Sequence, residues 1–211
     1  MLDHDPALAA RMHCDRHVIN GAVHAARVLS SAWHWLANGA YQPLEQAQPT
    51  PWLQLHVDPA SGGTPDGQPP QVRRAAAPGE SPFSWWLLHG QRIYQPVLAD
   101  EDRADSDWAS QTGGNYDWLW RLGMALTDEY QYRFGKRHPT APVLWALEPV
   151  PAPLADTLGQ WNEAPLPPMS EELKVVVKGY YDTVPSVRAY YTALAPEQAA
   201  WTRRPVPGWL K

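Results

Sequence analysis

The sequence predicts an all-α fold: a single, mainly helical domain over residues 1–211, with long Pro/Gly-rich loop insertions and little sheet. Three observations point there. Three stretches place apolar residues at three- and four-residue steps, the period of an amphipathic helix. Proline and glycine gather between those stretches, above all in 41–82 and 139–168, which are expected to be loop excursions. A chain of 211 residues also has the length of one domain with a substantial core.

The first helix is expected from Pro6 to Asn38. Asp5 is placed to cap it, Pro6 suits its first position, and Asn38-Gly39 supplies a stop. Its apolar stripe is Cys14, Val18, Ala22, Ala25, Leu29 and Trp33, which makes Cys14 a core residue rather than a nucleophile. Residues 84–92 (SWWLLHGQR) are apolar enough to return to the core as a short helix or strand. The second helix is expected from Asn115, after the Gly113-Gly114 breaker, to a Gly135 cap. Its apolar face is Trp118, Leu119, Leu122, Ala125, Leu126 and Tyr130. Residues 139–168 should wrap the surface in extended conformation. The third helical region is expected from Ser170 to Leu194, with Pro185 opening a new helix inside it, and Glu197 to Trp201 add a last turn.

Composition removes several function classes. One Cys excludes a disulfide scaffold and a multi-cysteine zinc site. No apolar run approaches the roughly 20 residues of a membrane span, and the first residues lack the basic-then-apolar profile of a signal peptide, so a soluble protein is expected. Seventeen Lys+Arg against 22 Asp+Glu give a net charge of -5, which argues against tight non-specific DNA binding. The acidity lies in the Pro-rich stretches, however, and the helix-like stretches are net positive, which leaves selective engagement of a short nucleic acid open. Twelve Trp and nine Tyr against two Phe favour rings that carry a polar handle.

Two helix faces are unusual. On the first helix, His13, His17, Asn20, His24 and Arg27 fall within about 40° of one line, opposite the apolar stripe. Imidazoles suit proton movement near neutral pH, whereas the plain alternative is a His-rich surface helix. His13 and His17 have the spacing of a metal pair, but residue 14 is Cys where a zincin-type motif needs Glu, so no metal is expected. On the second helix, Asn115, Glu129 and Arg133 project onto the apolar side, either as a structural ion pair or as the floor of a polar pocket. Arg133, Lys136, Arg137 and His138 at that helix end suit an anion. In the tail, Arg203 and Arg204 between Trp201 and Trp209 either clamp a nucleic-acid strand or stay solvated.

These residues carry a resemblance. The stretch Asp5-Pro6 with His13-Cys14-Asp15-Arg16-His17-Val18, the run from Asn115-Tyr116-Asp117-Trp118-Leu119 to Glu129-Tyr130-Gln131-Tyr132-Arg133-Phe134-Gly135-Lys136-Arg137-His138, and the ending Tyr190-Tyr191, Trp201 and Arg203-Arg204-Pro205-Val206-Pro207-Gly208-Trp209 resemble a group of small helical proteins of tailed phages and large viruses. Some members are labelled pyrimidine-dimer DNA glycosylases, and others are amino acid:DNA transferases of thymidine hypermodification. The resemblance covers roughly residues 3–38, 108–138 and 166–210.

It implies an enzyme that transfers glycine or serine onto 5-phosphomethyl-deoxyuridine in DNA with displacement of phosphate. The expected partners are DNA carrying a modified pyrimidine and a free amino acid, in a host cytoplasm, with no membrane, cofactor or metal. Such chemistry must deprotonate an ammonium, neutralise a leaving phosphate and hold a base out of the duplex. With the two faces, it assigns His13 or His17 as general base and Glu129 to orient an Arg or grip the ammonium. Arg133 and Lys136, with Arg16 as alternative, would take the phosphate, and Tyr116 and Trp118 would stack on the extruded base. Asp15, Asn20, His24 and Asn115 complete the substrate-binding set. The alternatives are a glycosylase or lyase acting on a damaged or modified pyrimidine, and a non-enzymatic phage accessory protein that binds nucleic acid or protein.

Overall fold

A computed structural model describes residues 1–37, 85–88, 91–94, 103–194 and 199–210. The expected 41–82 excursion and the Asn38-Gly39 stop lie outside these residues, as do Glu197 and Gln198 of the expected last turn, whose described residues 199–201 are not helical. The described residues are mainly helical with little strand, so the all-α expectation holds. In chain order they form α1 (Pro6–Met12), α2 (Asp15–Ala37), β1 (Trp85–Leu88), β2 (Gln91–Tyr94), α3 (Arg103–Ala109), α4 (Gly113–Phe134), α5 (Ala141–Ala146), β3 (Val176–Val177), β4 (Tyr180–Tyr181) and α6 (Thr183–Ala193). Short 3-10 helices occupy Ala152–Thr157, Glu171–Leu173 and Gly208–Leu210.

The core lies between α2 and α4. Cys14, Val18, Ala22, Ala25 and Leu29 are buried on one side, and Trp118, Leu119, Leu122, Leu126 and Tyr130 on the other. Small residues bring the two axes close: a Cβ on Gly123 would stand 3.2 Å from that of Ala25, and one on Gly21 3.1 Å from Leu126 Cδ1. Trp33 Nε1 donates to Tyr116 Oη (2.9 Å), which donates to the Leu147 carbonyl (2.7 Å), joining α2, α4 and the end of α5 through buried, fully paired groups. The α1 start and α4 end follow the sequence signals. Asp5 accepts from the Ala7 and Leu8 N–H groups, and Gly135 caps α4 at φ 72.

Three expectations need correction. The first helix is two helices, because His13 is extended (ψ 140) and α2 restarts at Asp15. Neither His13 nor Cys14 is a breaker; the tail makes the break, since the Ala200 carbonyl accepts the Asp15 N–H (2.8 Å) and Trp201 Nε1 donates to the Met12 carbonyl (3.0 Å). Residues 139–168 do more than wrap the surface: α5 buries Ala141, Val143, Leu144 and Ala146, and the 3-10 turn buries Leu154. Residues 170–182 form no α-helix, only the 3-10 turn at Glu171–Leu173. Val176 pairs with Tyr181 and Val177 with Tyr180 around Lys178 (φ 51) and Gly179 (φ 86), the two positive φ values of a tight hairpin turn. Of the two forms expected for residues 84–92, the described part takes the strand, and α3 follows at a place where no helix was expected.

Gly113 and Gly114 begin α4 instead of preceding it, because other backbone passes against them. A Cβ on Gly114 would lie 2.1 Å from the Gln160 carbonyl oxygen. Gly114→Ala is therefore expected to cost about 1–3 kcal/mol by displacing the 158–160 backbone. Urea denaturation measures this, and an unchanged midpoint contradicts the close approach.

Candidate active site at the helix break

The break between α1 and α2 faces the C-terminal end of α4, and charge is buried where they meet. The Arg133 side chain is fully enclosed. Its Nε–H goes to Glu129 Oε1 (2.6 Å), Nη1 to Asp15 Oδ1 (2.8 Å) and Nη2 to the Arg11 carbonyl (3.1 Å). Glu129 also accepts from Arg204 Nε (2.9 Å) and Nη2 (2.8 Å). Asp15 accepts from the backbone N–H (3.0 Å) and hydroxyl (2.7 Å) of Thr202. Two arginines and two carboxylates thus make a neutral chain that binds α1, α2, α4 and the tail. Burial pushes the Glu129 carboxyl up, but hydrogen bonds from Arg204 and Arg133 outweigh it and leave its pKa below the ordinary carboxylate value. Asp15 is lowered in the same sense: burial opposes, while Thr202 and Arg133 prevail.

Beside this chain, His13 and His17 converge on one phenol. Tyr191 Oη on α6 lies 2.5 Å from His13 Nδ1 and bonds His17 Nδ1 as well. Cys14 also hydrogen-bonds the Tyr191 hydroxyl, through its backbone N–H and its thiol. The phenol has one proton to give, so at least one of the two neutral imidazoles donates its own Nδ1–H to the oxygen. Burial first, then the charges of His17, the N-terminus and Arg133, lowers His13 to about 3. His17 is lowered by burial and by Arg16, and Tyr191 is raised above the usual phenol range by burial and Cys14. Both histidines are half-buried, and Tyr190 stacks on the His17 ring at 22°. The pair is therefore neutral at neutral pH and able to accept a proton at a ring nitrogen that faces away from Tyr191.

The other expected site residues divide clearly. Arg16 and Lys136 are exposed, and so is Asn20, one turn beyond His17 on α2. His24 leaves the histidine group: its Nε2 bonds Asp105 Oδ2 of α3 (2.7 Å). Arg133 and Glu129 are enclosed and committed to each other and to their partners, and so is Asp15, so these three hold the site together and do not face a substrate. Three more are corrected to structural roles. Tyr116 is fully buried between Trp33 and Leu147, where burial raises its pKa above the phenol range. Trp118 donates to the His4 carbonyl (2.7 Å) and packs edge-on to Trp108. Asn115 is fully buried and exchanges hydrogen bonds with Asn162 (2.6 and 3.0 Å). None of these three presents a free ring face or amide edge. The expected anion site at the α4 end also disperses, since His138 is buried with Nδ1 accepting from the Thr140 N–H and Nε2 donating to the Ile19 carbonyl.

Tyr191, Thr202 and Arg204 complete the site, although the sequence assigned them no role in it. Tyr191 had a signal only in the stretches that carry the resemblance, whereas Arg204 was also read in the tail as a nucleic-acid clamp or a solvated cation; it is neither solvated nor free, being bound to Glu129.

Replacing Arg133 with Met leaves buried Glu129 and half-buried Asp15 without their shared partner and is expected to cost about 3–5 kcal/mol. The lowered Glu129 and Asp15 pKa values stabilise the fold above the unfolded carboxylate pKa, and that contribution disappears as pH falls through the folded values. Denaturation of wild type and variant across acid pH should show the loss at neutral pH and a weaker acid dependence in the variant. Equal curves contradict the network.

The chain matches no protein-family model, no curated protein and no solved structure.

Proposed function

We propose that this protein is an amino acid:DNA transferase that replaces the phosphate of 5-phosphomethyl-deoxyuridine with the amine of glycine or serine. The observation that carries the reading is the convergence of His13 and His17 on Tyr191, with both imidazoles held neutral by burial. The resemblance of the same three stretches supplies the substrate class.

An amino acid carries an ammonium at neutral pH, and its nitrogen attacks only after losing a proton. A neutral imidazole accepts that proton, His17 more readily than His13, which is a weak base once lowered to about 3. The amine lone pair then forms the C–N bond at the exocyclic methylene carbon, while the C–O bond breaks and its electron pair leaves with the phosphate. Exposed Arg16, next to His17, and Lys136 are the cations suited to the departing phosphate. Asn20 offers an amide to a base edge. Glu129, Arg133 and Asp15 act from behind by fixing the helix break.

The test is incubation with phosphomethyl-uracil DNA and glycine or serine, followed by mass analysis of the nucleosides. A modified nucleoside that has lost phosphate and gained the amino acid is expected. His13→Ala and His17→Ala should each lower the rate, with about 10²–10⁴-fold lost for the one that accepts the proton. Release of the free base would instead mark a glycosylase, and unchanged product in both variants would contradict the proposed base.

A further inference from the structure

We infer that the cations around Tyr132, at the junction of the tail with the helix break, form a surface that holds the sugar-phosphate backbone of DNA. This rests on the reading of DNA as substrate and names the face that would engage it.

Three observations meet at this surface. First, the four-residue chain of Asp15, Glu129, Arg133 and Arg204 is neutral by itself, so it consumes the local acids. Arg11, Arg16 and Arg203 remain exposed around it, and among the described residues none of the three forms an ion pair. Asp128, exposed on α4, is the acid outside the chain that comes nearest along the sequence, and the three arginines outnumber it. The bonds from Asp15 to Ala200 and Thr202 bring the segments of Arg16 and Arg203 side by side.

Second, Tyr132 is 48% exposed and carries the Arg204 guanidinium 4.1 Å from its ring centroid. An arginine-backed, half-open ring is suited to stacking against a base or a sugar. Third, Arg203 adopts φ 59, a left-handed conformation disfavoured for a side-chain-bearing residue. It is held there by reciprocal bonds with Tyr132: Arg203 Nη1 donates to the Tyr132 carbonyl (3.0 Å), and Tyr132 Oη donates to the Arg203 carbonyl (3.3 Å). A strained arginine fixed beside an exposed ring, above a charge network whose own acids are already paired, matches the chemistry of phosphodiesters. The overall charge of -5 makes such engagement local.

The test is fluorescence anisotropy of labelled, unmodified 20-nucleotide DNA, single-stranded and duplex, over a salt series with the full chain. Wild type should bind at least one form. R16A/R203A should weaken binding about 10-fold or more and reduce the logarithmic salt slope by about 1 for every phosphate the variant no longer engages. Tyr132→Ala should weaken it roughly 5-fold or more, and Tyr132→Phe should restore it. K174A/K178A, beside and on the β3–β4 hairpin, should change little. Absence of wild-type binding, wild-type affinity in R16A/R203A, or an equal loss in K174A/K178A would overturn the inference. Unmodified DNA needs no chemistry, so binding that survives while transfer fails leaves this surface standing and counts against the transferase reading alone.

Discussion

Arg133 lies wholly inside the protein, and a buried guanidinium costs several kcal/mol unless its charge and donors are met. That requirement organises the rest. Glu129 comes from the same helix one turn earlier, but Asp15 comes from the far side of the core. Asp15 can reach Arg133 only because the first helix stops at His13 and restarts two residues later. Arg204 must return from the tail to satisfy the second side of Glu129. One enclosed cation therefore fixes a helix break, a helix end and the last residues of the described chain relative to one another.

The candidate site follows from that arrangement. At the break, His13 leaves the helical path and meets His17 across Tyr191, a geometry that two histidines on a continuous helix would approach from one face only. The tail that supplies Arg204 also lays Trp209 against Tyr191 at 6.0 Å, so the element that closes the charge chain also packs on the phenol. Desolvation there keeps both imidazoles neutral while Arg133, close by, adds a repulsion that works in the same direction. Structure and proposed chemistry depend on one feature: the charges are spent on architecture, and the neutral groups are left for proton transfer.

Much of the fold was legible because its signals are local. The stripe from Val18 to Trp33, the face from Trp118 to Tyr130, the Asp5 cap and the Gly135 stop each depend on neighbours within a few residues. The helix break was not legible, since 3.6-residue periodicity continues through His13 and Cys14 and the bonds that break it come from Ala200 and Trp201. The hairpin at 176–181 escaped for another reason: the Ser170-Glu171-Glu172 start resembles a helix cap, and it outweighed the β-branched Val175-Val176-Val177 run and the Lys178-Gly179 turn. Within the site, the pairing of Glu129 with Arg133 could be read from their spacing, but whether that pair faces a ligand or the core depends on Asp15 and Arg204. Tyr116, Trp118 and Asn115 illustrate the same limit. Their polar groups suit recognition, and only their partners Trp33, His4 and Asn162 reveal that those groups are already engaged.

The central claim is that His13 and His17 form a neutral, Tyr191-bridged pair in a seat built by the buried charges. Long-range proton–nitrogen NMR of the imidazole rings tests it most directly. At pH 5.5 an ordinary histidine is largely protonated, whereas His13, lowered to about 3, should remain neutral. The account predicts unprotonated His13, at least one of the two rings carrying its proton on Nδ1, and His17 charging only below the ordinary range. Two rings that titrate together near 6.5, with tautomers mixed as in free imidazole, would contradict it.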